Sequence, residues 1–363
     1  MRGGEKVLEQ FAFLFPDAPI YTLVANVPKL TPALQRHKFH ESLIARLPQA
    51  WRHYKKLLPL FPAAYRRLRV KSPTQCLLTS DASVVKGLSC APDVPHVCYC
   101  HSPPRYLWGM ENTYVKYTAD LNLAAKLIFK TTIPYVRRFD HAAAQRVTHF
   151  IANSRFTQER IRESYGREST VIYPPVAVAD FEPGRAAEDF YLVISELVSY
   201  KRIDLAVDAF NALGKKLIVI GSGPEMPSLQ SRAKDNITFL GHQDFASLKD
   251  HLERCRAFIF PGIEDFGITP IEAQAAGRPV IAFAAGALRE TVIEGRTGIF
   301  FHEQTSEALA NAVLKFERES ERFQPQVCRA NAESFQPERF RSEMKQFLEE
   351  RIPAVFKDYA WPC

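Results

Sequence analysis

The chain has 363 residues, of which 46% are hydrophobic and 24% are charged, and its formal net charge is +7 at pH 7. These values exclude a disordered or collagen-like chain and a small disulfide-stabilised scaffold, and the length leaves room for two globular domains. No run approaches the roughly 20 apolar residues of a membrane span, and residues 1–6 lead into an amphipathic pattern, so we expect no signal peptide and no transmembrane helix.

The first predicted element follows a glycine pair. After Gly3 and Gly4, apolar residues at helical spacing predict a helix over 5–15. Further apolar runs predict strands over 21–24, 76–79 and 95–100. A Rossmann-like domain begins with a strand before its glycine-rich turn, and this sequence begins at the turn. We therefore expect the first strand of the N-terminal sheet to be missing.

A long basic stretch lies between Glu41 and Asp81. It contains no acidic residue and eight basic ones, which are Arg46, Arg52, Lys55, Lys56, Arg66, Arg67, Arg69 and Lys71. Residues 1–170 as a whole carry 25 Lys and Arg against 12 Asp and Glu, a net of +13, and the remainder carries 22 against 28, a net of −6. Leucines and aromatic residues are interleaved with the eight cations, and this mixture favours an anionic membrane surface as partner. A nucleic acid is a weaker alternative because no nucleic-acid motif is present, and a solvated basic face is a third interpretation.

The strand predicted over 95–100 ends at His101, and Arg105 follows four residues later. Ligands bind at the carboxyl ends of the strands in open parallel sheets. His101 is therefore a candidate site residue, although a lone histidine is more often structural.

The rest of the first half alternates helical and extended patterns. A helix, a strand ending in the capping residues Asn153 and Ser154, and a second helix are predicted over 114–148, 150–154 and 155–165. The seven cysteines are odd in number and several lie in apolar runs. We therefore expect reduced thiols in a cytosolic protein rather than disulfides or a zinc site.

The second half repeats one pattern several times. Short apolar runs predict strands over 190–194, 217–220, 237–241, 257–260 and 279–283. Helical patterns between them fall over 202–210, 245–255, 271–276 and 288–294. This alternation predicts an α/β fold with a doubly wound parallel sheet. The turns after Ile194, Ile220, Leu240 and Phe260 all lie at the edge where such sheets bind ligands.

The same patterns divide the chain. We predict an N-terminal Rossmann-like domain over 1–172, a linker over 173–188 and a second Rossmann-like domain over 189–336. A C-terminal segment over 337–363 carries a helix that we expect to return to the first domain.

The turn after Phe260 carries the most informative motif. Glu264 and Glu272, eight positions apart, flank a strand-to-helix turn that contains Gly267. Carboxylates accept hydrogen bonds from sugar hydroxyls, and the amides of a helix N-terminus hold phosphates. The motif therefore suits a sugar nucleotide, whereas two unrelated surface acids are the simpler interpretation.

This motif resembles the Glu-x7-Glu signature of family 4 glycosyltransferases. Further segments share the resemblance, at 3–9, 101–106, 152–154, 173–176, 195–202, 221–224 and 264–272. The family implies a retaining enzyme of the GT-B fold, in which two Rossmann-like domains face a cleft. The resemblance implies that the N-terminal domain, over 1–172, binds the acceptor and that the domain over 189–336 binds the nucleotide sugar. The sequence is most similar to bacterial mannosyltransferases that build O-antigen and exopolysaccharide.

The resemblance implies a role for each matched residue. His101, Lys201 and Glu264 are the catalytic candidates, with Lys201 neutralising the diphosphate and Glu264 holding hydroxyls of the transferred sugar. Glu272 is expected to hold the ribose. The remaining substrate-binding candidates are Gly3, Gly4, Arg105, Arg202, Gly221, Ser222, Gly223, Phe266, Gly267 and Ile268. Gly221 and Gly223 are expected to let the nucleotide approach the backbone. Glu196 stands where the family usually has an arginine, and Arg202 or Arg105 is expected to supply that charge.

The expected reaction is retaining transfer of a hexose, with GDP-mannose as the favoured donor and a UDP-sugar as the second. The expected acceptor is a lipid-linked sugar or an oligosaccharide, at the inner face of the plasma membrane, with the protein cytoplasmic and peripheral. No Asp-x-Asp occurs in the sequence, so we expect no metal cofactor. Two other classes stay open, a nucleotide-sugar-binding protein with little or no turnover and a two-domain sugar-nucleotide epimerase.

Overall fold

The computed structural model describes residues 3–71, 73–109 and 123–362. The chain forms two compact units, one made of Met1–Pro175 with Phe340–Cys363 and the other of Val176–Arg339. Each unit contains a parallel sheet with helices, as the α/β pattern predicts.

The first unit holds two parallel sheets. Its strands are β1 (Ile20–Thr22), β2 (Phe39–Glu41), β3 (Leu77–Asp81), β4 (His96–Cys100), β5 (His149–Ala152) and β6 (Ser169–Val171). The main sheet has the order β3-β4-β5-β6, and β1 pairs separately with β2. All five residues of β4 are buried, which explains why this strand is a continuous apolar run rather than an alternating one.

The helices of the first unit, before its C-terminal part, are α1 (Gly3–Leu14), α2 (Pro32–Gln35), α3 (Ala50–His53), α4 (Phe61–Arg67), α5 (Leu123–Arg146) and α6 (Arg155–Tyr165). Short 3-10 turns cover Val27–Lys29, Leu43–Arg46, Tyr54–Leu60 and Val85–Gly87. Helix α6 begins where the sequence predicts, because the Ser154 hydroxyl accepts a hydrogen bond from the Thr157 amide at 2.9 Å.

Three predictions for the first unit need correction. Helix α1 begins at Gly3 instead of residue 5, so Gly3 and Gly4 lie in its first turn rather than in a loop before it. The strand predicted over 21–24 belongs to a separate two-stranded sheet with β2, which was not predicted. Of the helix predicted over 114–148, residues 114–122 lie outside the described residues, and α5 ends at Arg146.

A buried charge network lies beside the main sheet of the first unit. The Lys86 ammonium contacts Asp81 at 2.9 Å and also contacts Asp140, and all three side chains are at most 1% exposed. Trp108 Nε1 and the Tyr165 hydroxyl each donate to Asp140 Oδ2 at 2.8 Å. The network therefore ties β3, α5, α6 and the turn after β4 together.

The second unit has one six-stranded parallel sheet. Its strands are β7 (Tyr191–Ile194), β8 (Leu217–Ile220), β9 (Ile237–Gly241), β10 (Phe258–Phe260), β11 (Val280–Phe283) and β12 (Gly298–Phe301). The order β9-β8-β7-β10-β11-β12 is the doubly wound order 3-2-1-4-5-6 of a Rossmann fold. Strand β12 was not predicted from the sequence.

The helices of this unit are α7 (Ile203–Leu213), α8 (Met226–Arg232), α9 (Phe245–Arg254), α10 (Ile268–Ala275), α11 (Leu288–Thr291), α12 (Ser306–Arg318) and α13 (Pro325–Glu333), and 3-10 turns cover Val178–Asp180, Ser199–Lys201 and Ser320–Arg322. Helix α10 begins three residues before the predicted start at 271, because Gly267 in the left-handed region forms its N-cap. Helix α11 ends at Thr291 rather than at 294.

The C-terminal segment consists of α14 (Pro337–Arg351) and α15 (Pro353–Phe356). Phe340 and Met344 of α14 are fully buried in a cluster with Val7 of α1 and Tyr99 of β4. Beyond α15, Trp361 stacks on Phe356 with ring centroids 5.7 Å apart. The packing of Phe340 and Met344 in this cluster holds the segment in the core of the first unit.

Candidate functional site

The strand order of the second unit creates a switch point between β7 and β10. Chain connections leave these neighbouring strands in opposite directions across the sheet, so the loops at their carboxyl ends border an open crevice. The loop after β7 carries Lys201 and the loop after β10 carries Glu264. The structure thus brings together two candidates that lie 63 positions apart.

The Lys201 ammonium and the Glu264 carboxylate form a direct ion pair. Their side chains are 14% and 22% exposed, so both are largely withdrawn from water. The Lys201 ammonium also lies 5.8 Å from the centre of the Phe260 ring at the end of β10. A cation and a carboxylate therefore meet at the switch point, where a charged ligand would bind.

Two glycines that the sequence reading did not single out fix the backbone of this pair. A Cβ on Gly262 would lie 2.8 Å from the Lys201 carbonyl oxygen, and one on Gly286 would lie 2.5 Å from the Glu264 carbonyl oxygen. The same Glu264 carbonyl accepts a hydrogen bond from the Ala287 amide at 3.1 Å. The only sequence signal for these residues is a glycine within a few positions of a strand end.

The glycine-rich loop after β8 packs against the loop after β7. A Cβ on Gly221 would lie 1.8 Å from the Ser195 carbonyl oxygen, and one on Gly223 would lie 2.3 Å from that of Leu197. The Leu197 amide in turn donates to the Ser222 carbonyl at 3.0 Å. Both glycines therefore let the protein's own loop approach closely, and the expected contact of a nucleotide with them stays a prediction.

Arg202 and Lys201 lie in different environments although they are neighbours. Arg202 has a left-handed backbone, with φ of 55°, and forms the N-cap of α7. Its guanidinium donates to both carboxylate oxygens of Asp204 at 3.1 Å and to Gln304 at 3.4 Å. Asp204 and Gln304 thus hold the Arg202 guanidinium, and its expected role beside Lys201 at a diphosphate stays a prediction. Glu196 is exposed on the same loop.

Helix α10 carries the other half of the acidic motif. Its N-cap Gly267 has φ of 86°, which favours glycine, and Ile268 is its first residue. The preceding Phe266 is buried, with its ring 5.8 Å from that of Phe335. Glu272 is half-buried in the second turn. The first-turn amides of a helix have no carbonyl one turn earlier, so the end of α10 suits an anion.

In the first unit, the structure places His101 beside the start of α1. Its Nε2 lies 2.8 Å from the Ser80 hydroxyl, and its backbone amide donates to the Asp81 carbonyl at 2.8 Å. The ring also lies in van der Waals range of Gly4, since a Cβ there would be 3.6 Å from Nε2. Gly3, Gly4 and His101 thus share one edge of this unit.

The turn that follows His101 is anchored by residues the sequence reading did not assign to it. Arg160 on α6 contacts the Ser102 hydroxyl and donates to the carbonyls of Pro103 at 3.2 Å and Trp108 at 3.4 Å. Asn153 donates to the His101 carbonyl at 2.9 Å. Arg105 lies half-buried on this anchored turn. No periodicity could have revealed Arg160, because its contacts join distant parts of the chain.

In the part of the chain that the structure describes, no group of three or more His, Cys, Asp or Glu side chains is arranged to hold a metal ion. Among the helices described, none is both long enough and apolar enough to cross a bilayer.

The fold and the switch-point residues define a GT-B protein, that is, one built from two Rossmann-like units. Comparison with family models gives the more specific assignment. Residues 2–180 match the model described as Glycosyltransferase Family 4, and residues 189–318 match the one described as Glycosyl transferases group 1. The chain belongs to glycosyltransferase family 4.

Curated relatives are similar at modest identity. An O-antigen chain mannosyltransferase of Salmonella typhimurium is 26% identical over 200 residues, which cover 51% of this chain and 55% of the relative. A GDP-mannose-dependent α-(1-6)-phosphatidylinositol monomannoside mannosyltransferase of Mycobacterium tuberculosis is 28% identical over 201 residues, covering 47% and 52%. The chain spans about half the length of the curated relatives it matches.

Solved structures show the same fold. Anabaena HepE in complex with UDP and glucose superposes with a TM-score of 0.67 at 16% identity, covering 96% of both chains. A sucrose-phosphate synthase from Thermosynechococcus elongatus also gives 0.67, at 21% identity, covering 88% of this chain and 84% of that one. At these identities the likeness establishes the GT-B fold.

Proposed function

We propose that this protein is a retaining glycosyltransferase that transfers a hexose from a nucleotide sugar to an acceptor hydroxyl. The observation that carries the proposal is the meeting of Lys201 and Glu264 at the switch point of the second unit. A cation there balances the charge that grows on a departing diphosphate, and a carboxylate accepts hydrogen bonds from sugar hydroxyls. Family membership supports the same reaction class.

In the proposed reaction the acceptor hydroxyl attacks on the face from which the diphosphate departs, and the departing phosphate takes the hydroxyl proton. The glycosidic bond to the nucleotide breaks as the new bond forms, so the anomeric configuration is retained. Lys201 and the backbone amides of Phe266, Gly267 and Ile268, which lead into α10, stabilise the diphosphate. Glu272 holds the ribose, and His101 contacts the transferred sugar.

The favoured donor is GDP-mannose, with a UDP-sugar as the alternative. Similarity to mannosyltransferases, one of them GDP-mannose-dependent by name, supports the first choice, and the fold shared with a protein solved with UDP and glucose supports the second. Thermal-shift measurements with GDP-mannose, UDP-glucose and related nucleotide sugars separate the two. Transfer of the sugar to an acceptor, rather than its interconversion on the free nucleotide, distinguishes a transferase from an epimerase.

The two glutamates give the sharpest test of the site. Glu272→Ala should weaken nucleotide binding, because Glu272 lies inside α10. Glu264→Ala should mainly reduce turnover, because Glu264 lies in the loop after β10, on the side expected to hold the sugar. Calorimetric affinity and initial rates measured on both variants separate these effects. Wild-type affinity and rate in both variants would show that the motif has been misassigned.

We propose further that the acceptor is lipid-linked and that the basic stretch docks the protein on an anionic membrane, at the cytoplasmic face. Six of its eight cations, Arg46, Arg52, Arg66, Arg67, Arg69 and Lys71, are exposed. Four large apolar side chains in the same part of the chain are also exposed: Leu43 at 46%, Leu47 at 45%, Trp51 at 41% and Leu60 at 48%. Exposed apolar residues among cations suit the interface of a bilayer better than a nucleic acid.

Liposome co-sedimentation tests the docking surface. Each cation near an anionic surface contributes about 1 kcal/mol, so replacing Arg66, Arg67, Arg69 and Lys71 by Glu should release the protein from anionic vesicles. Transfer to a short soluble acceptor should persist in this variant. Sedimentation that does not respond to the four substitutions or to added salt would exclude the basic stretch as the docking surface.

A further inference from the structure

The ion pair at the switch point has a consequence for which ligands the second unit prefers. The Lys201 ammonium and the Glu264 carboxylate contact each other directly, at 14% and 22% exposure. Each is also the residue that the proposed function assigns to one part of the donor, Lys201 to the diphosphate and Glu264 to the sugar. The ion pair and the bound donor therefore compete for the same two groups.

The backbone around the pair is held in place, so only the side chains need to move. Gly262 packs against the Lys201 carbonyl oxygen and Gly286 against that of Glu264, at distances that leave no room for a Cβ. The Ala287 amide donates to the Glu264 carbonyl at 3.1 Å. The ammonium lies at the end of a flexible four-carbon chain, so rotation of that chain can separate the pair without loop movement.

We propose that this ion pair makes the site select an intact nucleotide sugar over the free nucleoside diphosphate. An intact donor supplies phosphate oxygens to Lys201 and hydroxyls to Glu264, so both groups exchange one partner for another. A free nucleoside diphosphate draws Lys201 away from Glu264 and places a second negative group beside that carboxylate. After transfer, Glu264 re-forms the pair with Lys201 and displaces the product.

This inference rests on the proposed function. It predicts that substituting Glu264 raises the affinity for a free nucleoside diphosphate, whereas removal of a binding residue ordinarily lowers affinity. Glu264→Gln removes the competing charge but keeps the shape of the side chain. The variant should bind GDP and UDP more tightly than wild type, by roughly fivefold, since a partly exposed ion pair is worth up to about 1 kcal/mol. Its affinity for the nucleotide sugar should rise less or fall, so the ratio of the two affinities changes.

A double-mutant cycle isolates the pair. In a Lys201→Gln background, Glu264→Gln should give no gain in GDP or UDP affinity, because the cation it competes for is gone. Glu196→Gln is the matched control, since Glu196 is an exposed carboxylate on the same loop as Lys201. If Glu196→Gln raises GDP or UDP affinity, the cause is weaker repulsion between Glu196 and the diphosphate, and that gain should persist in the Lys201→Gln background. Glu264→Ala, checked by thermal unfolding, repeats the test with a second side chain.

The outcomes separate the two proposals. Isothermal titration calorimetry with GDP, UDP and their sugar conjugates gives each affinity. If the wild type binds neither nucleotides nor nucleotide sugars, the proposed function is wrong and this inference with it. If the wild type binds nucleotide sugars, but Glu264→Gln and Glu264→Ala gain no more affinity for the free diphosphates than Glu196→Gln, only the inference is wrong.

Discussion

The buried network of Asp81, Lys86 and Asp140 predicts that its two carboxylates differ in their contribution to stability. One lysine is shared by two aspartates, all at most 1% exposed. Burial by itself raises the pKa of Asp81, but the Lys86 charge and the hydrogen bonds from Lys86 and two backbone amides outweigh burial and hold that pKa below 3.8. For Asp140, burial raises the pKa and Lys86 offsets it only in part.

The magnitudes follow from these environments. Asp81 accepts from Lys86 at 2.9 Å and from the Ser83 and Val85 amides at 2.8 and 3.1 Å, so Asp81→Asn breaks a well-formed buried pair and should cost about 3–5 kcal/mol. A raised pKa means that Asp140 contributes stability that is fully present below pH 3.8 and lost as pH rises through its folded pKa. At pH 7 the ionised Asp140 carboxylate therefore carries a cost of burial. Asp140→Asn removes that cost, which partly offsets the lost contacts, so the substitution should lower the free energy of unfolding by about 1–3 kcal/mol.

The assay is urea unfolding at pH 7 followed by tryptophan fluorescence. All three tryptophans, Trp51, Trp108 and Trp361, belong to the first unit, so the signal follows the unit that holds the network. Asp93→Asn, a change at an exposed aspartate of the same unit, is the control and should leave the midpoint within error. An Asp140→Asn variant as unstable as Asp81→Asn, or more so, would refute the reasoning.

Three further predictions follow from local geometry and from the sequence. Gly221→Ala should lower the melting temperature of the second unit, because the new Cβ would lie 1.8 Å from a carbonyl oxygen and the residue has φ of 135°. Gly214→Ala is the control, with φ of 67° and open space around the new Cβ, and should cost only about 1 kcal/mol. Equal shifts in melting temperature by circular dichroism would contradict this prediction. Burial lowers the pKa of His96 from 6.5 to about 4. The neutral His96 side chain therefore contributes stability that is fully present above pH 6.5 and should fall by up to about 3 kcal/mol as the pH drops to 4. The difference in urea midpoint between wild type and His96→Asn should shrink over that range, and a constant difference would argue against it. Transfer should survive EDTA, because the sequence has no Asp-x-Asp, and activity lost to EDTA and restored by magnesium or manganese would disprove metal independence.

Much of the second unit could be predicted from the sequence. Strands β8 and β9 have the predicted bounds, because each is an apolar run between turn residues. Strand β8 lies inside the sheet and is largely buried, whereas β9 is an edge strand in which only Ile237 is buried. Strands β1 and β2 are three residues long and mostly half-exposed, so their pattern is too short to predict a separate sheet. The order of predicted strands and helices also identified the loops at the switch point, because the carboxyl ends of parallel strands in a doubly wound sheet lie at one edge.

The sequence by itself determined the α/β class, the family and the loops that carry the candidate residues, because these depend on local periodicity and short motifs. Only the tertiary structure decided how those residues meet. It pairs Lys201 with Glu264, turns Arg202 toward Asp204, and fills the space beside Gly221 with the protein's own backbone. Side-chain partners and close loop contacts depend on residues far apart in the chain, and a pattern read along one sequence carries no information about those distances.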